Sequence, residues 1–385
     1  MYLTQIIKKN KFLYEMIQSY RVRYRYGYLT TKVEVNNLYK KLTQNHIGQR
    51  KQYNPNKPDK FIFIGDRYED STMKVAVFGD IEQGMVMNHE CEFWVTHKLK
   101  KASTIHEVFW TINHFIPLPG KRFWEEKYTT SELNFSEEYN YFLIFLAGGY
   151  FEETFSQPKL WEKVFAASEK TFCSRNLYLV DPVDKFPTIT YWFDFFDTLS
   201  GCAWEDTERY GLNFIDTPCV YLKKDNEEIK RDIYIRAMDN GRLSLIEACY
   251  DYLNDRGVEC DFHVISDKVI NRPGLACSDE ERLEYTKMVE EELSSNTLLE
   301  IVTPNVGAGS TLRYREAVMY GKKLLTNNPT IKELTYYDGD NIRYFEKIED
   351  ISIAWIKRQE KCEYNYQWDF STDTFCERIK KIGIT

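Results

Sequence analysis

The stretch Leu298-Leu299-Glu300-Ile301-Val302-Thr303-Pro304-Asn305-Val306-Gly307-Ala308-Gly309-Ser310-Thr311-Leu312-Arg313 runs from an apolar strand through a glycine-rich loop into a helix. Leu298–Val302 reads as a strand. Pro304–Thr311 is then the loop, and Leu312–Tyr320 a helix stopped by Gly321. Ligands in open α/β sheets bind beyond the carboxyl ends of the strands. The N–H groups around Ser310 and Thr311 are therefore placed to face an anion, and the glycines let the backbone approach it. The plain alternative is an ordinary glycine turn with a Ser/Thr helix cap.

Two familiar nucleotide loops are excluded here. A dinucleotide fingerprint wants a third glycine where Leu312 stands and an acidic residue where Asn327-Asn328-Pro329 stands. A phosphate-binding loop of the Gly-Lys-Ser/Thr type is absent. Neither nicotinamide chemistry nor ATP hydrolysis is expected. The Tyr-x-x-x-Lys spacing of a nucleotide-sugar epimerase occurs at Tyr28/Lys32 and Tyr53/Lys57, but neither pair follows a dinucleotide-binding unit.

Working outward, the same alternation continues on both sides. Asp232–Arg236 reads as a strand, Asp239–Gly241 as a turn, Arg242–Asp255 as a helix capped near Gly257, and Cys260–Ile265 as a strand. Glu281–Leu293 reads as a helix and Lys323–Thr326 as a strand. Towards the N-terminus, Phe61–Gly65, Val75–Gly79, Tyr141–Ala147 and Leu177–Val180 are strand-like. Lys159–Glu169 and Trp204–Tyr210 are helical, and Ile189–Phe196 is aromatic and ambiguous. Thr217–Glu228 reads as an interdomain connection and Asp369–Ile382 as a closing helix. The alternation predicts parallel sheets covered by helices. A chain of 385 residues exceeds what one hydrophobic core usually organises, so two domains are expected.

Gly309-Ser310-Thr311-Leu312-Arg313-x-x-Glu316-Ala317, followed by Gly321-Lys322-Lys323-Leu324-Leu325-Thr326-Asn327-Asn328, resembles glycosyltransferases of bacterial capsule and lipopolysaccharide synthesis. So do Ile233–Arg236 leading into Asn240-Gly241-Arg242, Cys260-Asp261-Phe262, and the run from Asp194-x-x-Asp197 to Tyr210-Gly211-Leu212. The resemblance covers roughly residues 140–345. It implies the α/β fold called GT-B, two Rossmann-like domains facing a cleft, with an acceptor-side domain over 1–217 and a nucleotide-sugar-binding domain over 218–385. The last helix is expected to pack back on the first domain. The implied donor site comprises Gly241, Arg242, Asn305, Gly307, Gly309, Ser310, Thr311, Arg313 and Glu316. Glu316 would accept hydrogen bonds from ribose hydroxyls, Gly309, Ser310 and Thr311 would line the diphosphate, and Arg242 or Arg313 would neutralise it.

The implied activity is transfer of a sugar from a nucleotide donor, a uridine diphosphate sugar, to a glycan or lipid-linked acceptor. Such an enzyme needs a base to deprotonate the acceptor hydroxyl. Asp181, at a strand end, is the first candidate, with Asp66 and Asp80 behind it. A non-catalytic relative that binds a glycan or a partner protein is the alternative. No cofactor is expected, and the transfer is expected to be metal-independent. Asp338-Gly339-Asp340 imitates a metal signature, but Asp-Gly is a favoured turn pair. His89, His97, His106 and His114 lack the spacing of helical metal ligands.

Nine cysteines without a Cys-x-x-Cys pair read as reduced thiols. Met1–Phe12 has only a short apolar patch before Lys8 and Lys9, so no signal peptide is expected and the protein is expected in the cytoplasm. Net charge is −8, yet residues 1–60 hold thirteen Lys/Arg against Glu15, Glu34 and Asp59. That excess of ten leaves −18 on the remaining 325 residues. The acidic body disfavours nucleic acid. The basic arm, expected to be helical over 1–45, suits an anionic membrane surface, and a peripheral location at the inner face follows. Each Lys or Arg near such a surface contributes about 1 kcal/mol. Co-sedimentation with vesicles is expected to rise with phosphatidylserine content and fall with salt; binding indifferent to both would leave the arm a solvated face.

Overall fold

The computed structural model describes residues 51–65, 89–95, 133–148, 151, 155, 158–186, 188–219, 221, 228–303 and 309–385. The basic arm over 1–45, the strand-like Val75–Gly79, Asp66 and Asp80 lie outside them, as do His97, His106 and His114. Two sheets divide the chain.

The first sheet has the order β2-β1-β3-β4-β5-β6. Its strands are β1 (Asp59–Gly65), β2 (Glu90–Val95), β3 (Asn140–Ala147), β4 (Cys173–Leu179), β5 (Thr198–Gly201) and β6 (Asn213–Phe214), and every pairing is parallel. β3 is buried along its whole length, which is what its unbroken apolar run requires. Helix α1 (Pro158–Lys170) covers one face through Leu160, Trp161, Val164 and Phe165, with Trp161 stacked on Phe145 at 5.1 Å. Helix α2 (Trp204–Tyr210) ends at Gly211, whose φ of +69° is the left-handed turn a glycine cap supplies.

The strand expected at Leu177–Val180 begins four residues earlier, at Cys173. Ser174, Arg175 and Asn176 interrupt the apolar pattern but are buried with partners. Arg175 makes a bidentate pair with Asp197, at 2.6 and 3.1 Å, and Asn176 donates to the Leu143 carbonyl. Paired polar groups are tolerated in a core, so composition alone misplaces the strand start. Ile189–Phe196 resolves as a 3₁₀ segment, Ile189–Phe195, with Ile189, Trp192 and Phe195 in the core.

The second sheet has the order β13-β12-β11-β7-β8-β10-β9. It comprises β7 (Arg231–Met238), β8 (Cys260–Ile265), β9 (Ile270–Arg272), β10 (Leu275–Cys277), β11 (Ser295–Glu300), β12 (Lys323–Thr326) and β13 (Ile342–Tyr344). All pairings are parallel except β9 with β10, a small hairpin edge absent from the sequence reading. Helices α3 (Leu243–Asn254), α4 (Tyr285–Leu293), α5 (Leu312–Tyr320) and α6 (Ile353–Lys357) lie on it. The chain therefore adopts the expected α/β architecture of two Rossmann-like halves. The helix expected from Glu281 begins only at Tyr285, because Arg282 and Glu284 are extended. The strand expected at Leu298–Val302 is shifted back to Ser295–Glu300, again over buried polar residues.

The closing helix α7 (Thr372–Gly383) leaves the second half and packs on the first sheet. Phe375 meets Tyr178 at 4.9 Å and Phe63 at 5.9 Å, and Cys376 and Ile379 are fully buried beside them. Each such apolar side chain contributes ~1.5–3 kcal/mol. Lys380 pairs with Asp59 at 2.7 Å and Arg378 with Asp216 at 3.0 Å. Among the described residues, no helix is long and apolar enough to cross a membrane, and all nine cysteines are free thiols.

Lys323, fully buried in β12, donates to the carbonyls of Trp355, Ile356 and Arg358 at the end of α6. Asn296 also serves the Ile356 and Arg358 carbonyls, so only that of Trp355 depends on Lys323 among these donors. Lys323→Met is expected to cost ~1–3 kcal/mol at pH 7, read from denaturant melts. Burial pushes the Lys323 pKa down to about 8 from 10.5. Folding is then coupled to proton release between those values, so wild type gains stability relative to Lys323→Met as pH rises through that window. An unchanged difference would refute this coupling.

Candidate active site

The chain order of the second sheet reverses between β7 and β11. β7 leads to β8 on one side, while β11, β12 and β13 follow on the other. A crevice opens at the carboxyl ends of the two strands that flank such a reversal. A cavity of about 790 Å³ occupies that place. It is lined by Arg236 and Met238 from β7, Glu300 from β11 with Ile301 and Val302 beyond it, Arg242, the segment from Arg282 to Thr286, and Thr311–Arg313. Its size suits a small organic ligand, for which ~300–1,000 Å³ is usual.

Thr311 caps α5: its hydroxyl accepts from the Tyr314 N–H at 3.2 Å and donates to Glu300. The helix N-terminus is thereby aimed at the cavity, where its partial positive charge favours an anion. Glu300 also accepts from Thr326 at 2.5 Å, and burial, against those hydrogen bonds, raises its carboxyl above the ordinary range. Arg242 lies at the start of α3. Its Nε donates to the Met238 carbonyl at 2.8 Å and its Nη1 to that of Ile301 at 2.5 Å. Among the described residues no carboxylate lies within 4 Å of this guanidinium. Burial holds its pKa below the usual guanidinium range, and Glu300 and Asp239 act on its charge from beyond ion-pair distance.

Arg313 is differently placed. It pairs with Glu292 and, at 3.3 Å, with Glu316, and its Nη2 donates to the Arg236 carbonyl at 3.0 Å. Two fully buried carboxylates thus hold one guanidinium, and burial raises the Glu316 carboxyl despite the Arg313 charge. Glu316, expected at the ribose, has none of its surface exposed and is not among the residues that line the cavity.

Of the residues the sequence proposes for the donor site, Arg242, Thr311 and Arg313 therefore line one cavity. Gly241 is exposed in the turn before Arg242, with φ +82°. Gly309 and Ser310 are buried outside the lining, and Asn305 and Gly307 lie outside the described residues. Asp181 sits past β4, half-exposed and paired with Lys185 at 2.6 Å. The first sheet reverses its order between β1 and β3, and β4 is the next strand along. Asp338 accepts from the Asp340 and Asn341 N–H groups, the hydrogen-bonding of a turn.

Not foreseen are Glu300, Glu292, Arg236 and the wall from Arg282. A charge inside the run Leu-Leu-Glu-Ile-Val was the available signal for Glu300. Glu292 and Arg236 carry none, since their partners are distant in sequence.

Gly309 joins the halves. A β-carbon there would lie 2.2 Å from the Cys202 carbonyl oxygen and 3.1 Å from the Ala203 α-carbon, just past the end of β5. Its φ of +49° adds a second demand for glycine. Gly309→Ala is expected to lose about 2 kcal/mol or more from backbone strain and collision, lowering the melting temperature by roughly 2–4 °C per kcal/mol. A melt matching wild type would refute the contact.

No family model matches the sequence, and no curated protein matches it. Solved structures with a similar chain path include an α-glucosyltransferase in complex with UDP and a 13-mer DNA containing an HMU base, at 11% identity and a TM-score of 0.42 over 84% of this chain and 90% of that one. A lipopolysaccharide outer core galactosyltransferase, WaaB, in its apo form, agrees at 15% identity and a TM-score of 0.39 over 83% and 95%. The glycotransferase of kitacinnamycin agrees at 8% and 0.36 over 85% and 94%. All three TM-scores lie below 0.5, so function is read from this chain's own residues.

Proposed function

We propose that this chain is a GT-B glycosyltransferase that moves a sugar from a nucleotide-sugar, a uridine diphosphate sugar, to a glycan or lipid-linked acceptor in cell-surface polysaccharide synthesis. The observation that carries the reading is Arg242: a guanidinium without a carboxylate partner among the described residues, in a cavity at the strand-order reversal, beside the N-terminus of α5.

Glycosyl transfer breaks the bond between the anomeric carbon and the diphosphate oxygen, and negative charge grows on the departing nucleoside diphosphate. Arg242 and the N–H groups that open α5 are the groups of this chain suited to receive it, and they act without a metal. The acceptor oxygen bonds to the anomeric carbon and gives its proton to a base. Asp181 remains the proposed base, paired with Lys185 at 2.6 Å. That same ion pair, and its place beyond β4, favour the second reading, a non-catalytic relative that binds a glycan or partner protein. Release of sugar from the donor by wild type separates the two readings. The acidic body and the basic segment over 1–60 support a protein at an anionic membrane surface rather than on nucleic acid.

Arg242→Met is expected to weaken uridine diphosphate about ten- to a hundredfold in calorimetric titration, the value of a charge-assisted hydrogen bond of ~1.5–3 kcal/mol. Its melting temperature should stay near that of wild type. Chelator should leave both affinities unchanged. Equal affinity in wild type and variant would remove the diphosphate from this cavity.

A further inference from the structure

One face of β7 and β8 is polar where it is covered. In the register of the pair, Tyr234 lies beside Asp261 and Arg236 beside His263, and alternation puts all four side chains on the same face. Above them sit Glu281, in the 3₁₀ turn Asp279–Glu281, and Glu291 of α4. Arg236, only 7% exposed, donates from Nε to the Tyr234 hydroxyl at 3.0 Å and from Nη2 to Glu291 at 2.8 Å. Its Nη1 donates to the Glu281 carbonyl and lies 3.4 Å from the Glu281 carboxylate. The Tyr234 hydroxyl donates to Glu291 at 2.9 Å. His263 Nδ1 lies 2.6 Å from the same Glu281 oxygen, and its Nε2 3.0 Å from Asp261, which Arg231 pairs in turn.

These bonds grip both ends of one segment. Between Glu281 and Glu291 runs Arg282–Met288, of which every residue but Lys287 lines the cavity. That wall has little apolar anchorage: Val289 and Leu293 are the buried members of a small separate cluster with Tyr285 and Tyr320. A buried ionic network is weak evidence for stability, since well-packed apolar residues serve as well or better. It does fix geometry, because each bond has a preferred direction. All three nitrogens of Arg236 are engaged, so although Arg236 lines the cavity at most one N–H, the second on Nη2, is left for a ligand.

We propose that Arg236, Glu281 and His263 form a latch that holds the Arg282–Met288 wall against the carboxyl edge of the sheet, and that Arg236 and Glu281 are positioning residues setting the cavity's affinity for its nucleotide. This rests on the nucleotide-binding reading above. The wall sets the width of the cavity, so a loosened wall weakens the ligand and blurs its choice of base without touching the fold's apolar cores.

The test uses the full chain with Glu281→Ala and Glu281→Gln, titrated calorimetrically with uridine, guanosine and adenosine diphosphates, with melting temperatures recorded. Glu281→Ala should bind uridine diphosphate about tenfold more weakly, with a narrower preference among the three nucleotides and a melting temperature close to wild type. Glu281→Gln keeps an oxygen for His263 and Arg236 and should restore most of the affinity. Wild-type affinity in Glu281→Ala, failure of Glu281→Gln to restore binding, or a large loss of melting temperature shared by both variants would each overturn the latch. If wild type binds none of the three nucleotides, the nucleotide reading falls first, and the latch with it.

Discussion

Gly309 and the Cys202 carbonyl approach so closely that no side chain fits between them. This contact joins the segment leaving β11 to the segment leaving β5, and so brings the carboxyl ends of the two sheets together. The cavity itself is lined by the second half alone, and it is the proposed approach of an acceptor that depends on that meeting, because ligands of α/β sheets gather at carboxyl ends. The joint is reinforced beside it. Arg315, 5% exposed, donates to the Ser310 carbonyl at 2.9 Å, and Asp216 at the start of the connection pairs with Arg378 of α7. α7 crosses from the second half to the first and buries Phe375, Cys376 and Ile379 there. The halves thus share a backbone contact, a charged hinge and an apolar strap.

The charges of the second half fall into two groups with opposite duties. Arg313 and Arg236 are neutralised by carboxylates and hold elements in place, as Arg175 is and does in the first half. Arg242 is bonded to carbonyls, which orient a guanidinium without cancelling its charge. A cation of the second kind can respond to charge that develops on a ligand, and one of the first kind must first give up a buried partner, which is costly. Arg313 and Arg242 are equal candidates as residue types, and only their partners separate them. The fully buried Glu292 and Glu316 make Arg313 part of the scaffold on which the cavity wall stands.

Much of the second half was legible. Cys260–Ile265, Leu312–Tyr320 and Lys323–Thr326 occupy the spans their patterns predict, as does Trp204–Tyr210 in the first half. These segments end at a glycine of positive φ, as at Gly211 and Gly321, or at a polar turn. Where the pattern failed, buried polar residues were the cause. Ser174-Arg175-Asn176 and Ser295-Asn296-Thr297 look like loop in sequence, yet they are strand, because Arg175, Asn176 and Asn296 find partners in Asp197, Leu143 and Ile356, while the Thr297 hydroxyl is buried without one. Arg282–Glu284 fails in the other direction: a helical pattern stays extended while Arg236 and His263 hold Glu281 from neighbouring strands.

The sequence by itself determined that the chain alternates strand and helix, that it builds two α/β halves, and that a glycine loop before Thr311 opens a helix. Those properties come from local periodicity and backbone conformation, which neighbours a few residues apart decide. Only the tertiary structure decided which charges are spent and which remain. The pairing of Arg313 with Glu292 of α4, the bonding of Arg242 to the Met238 and Ile301 carbonyls, and the burial of Glu316 each bring different elements together. The strength and meaning of a charge depend on its partners and its solvation, and neither is written in the neighbours along the chain.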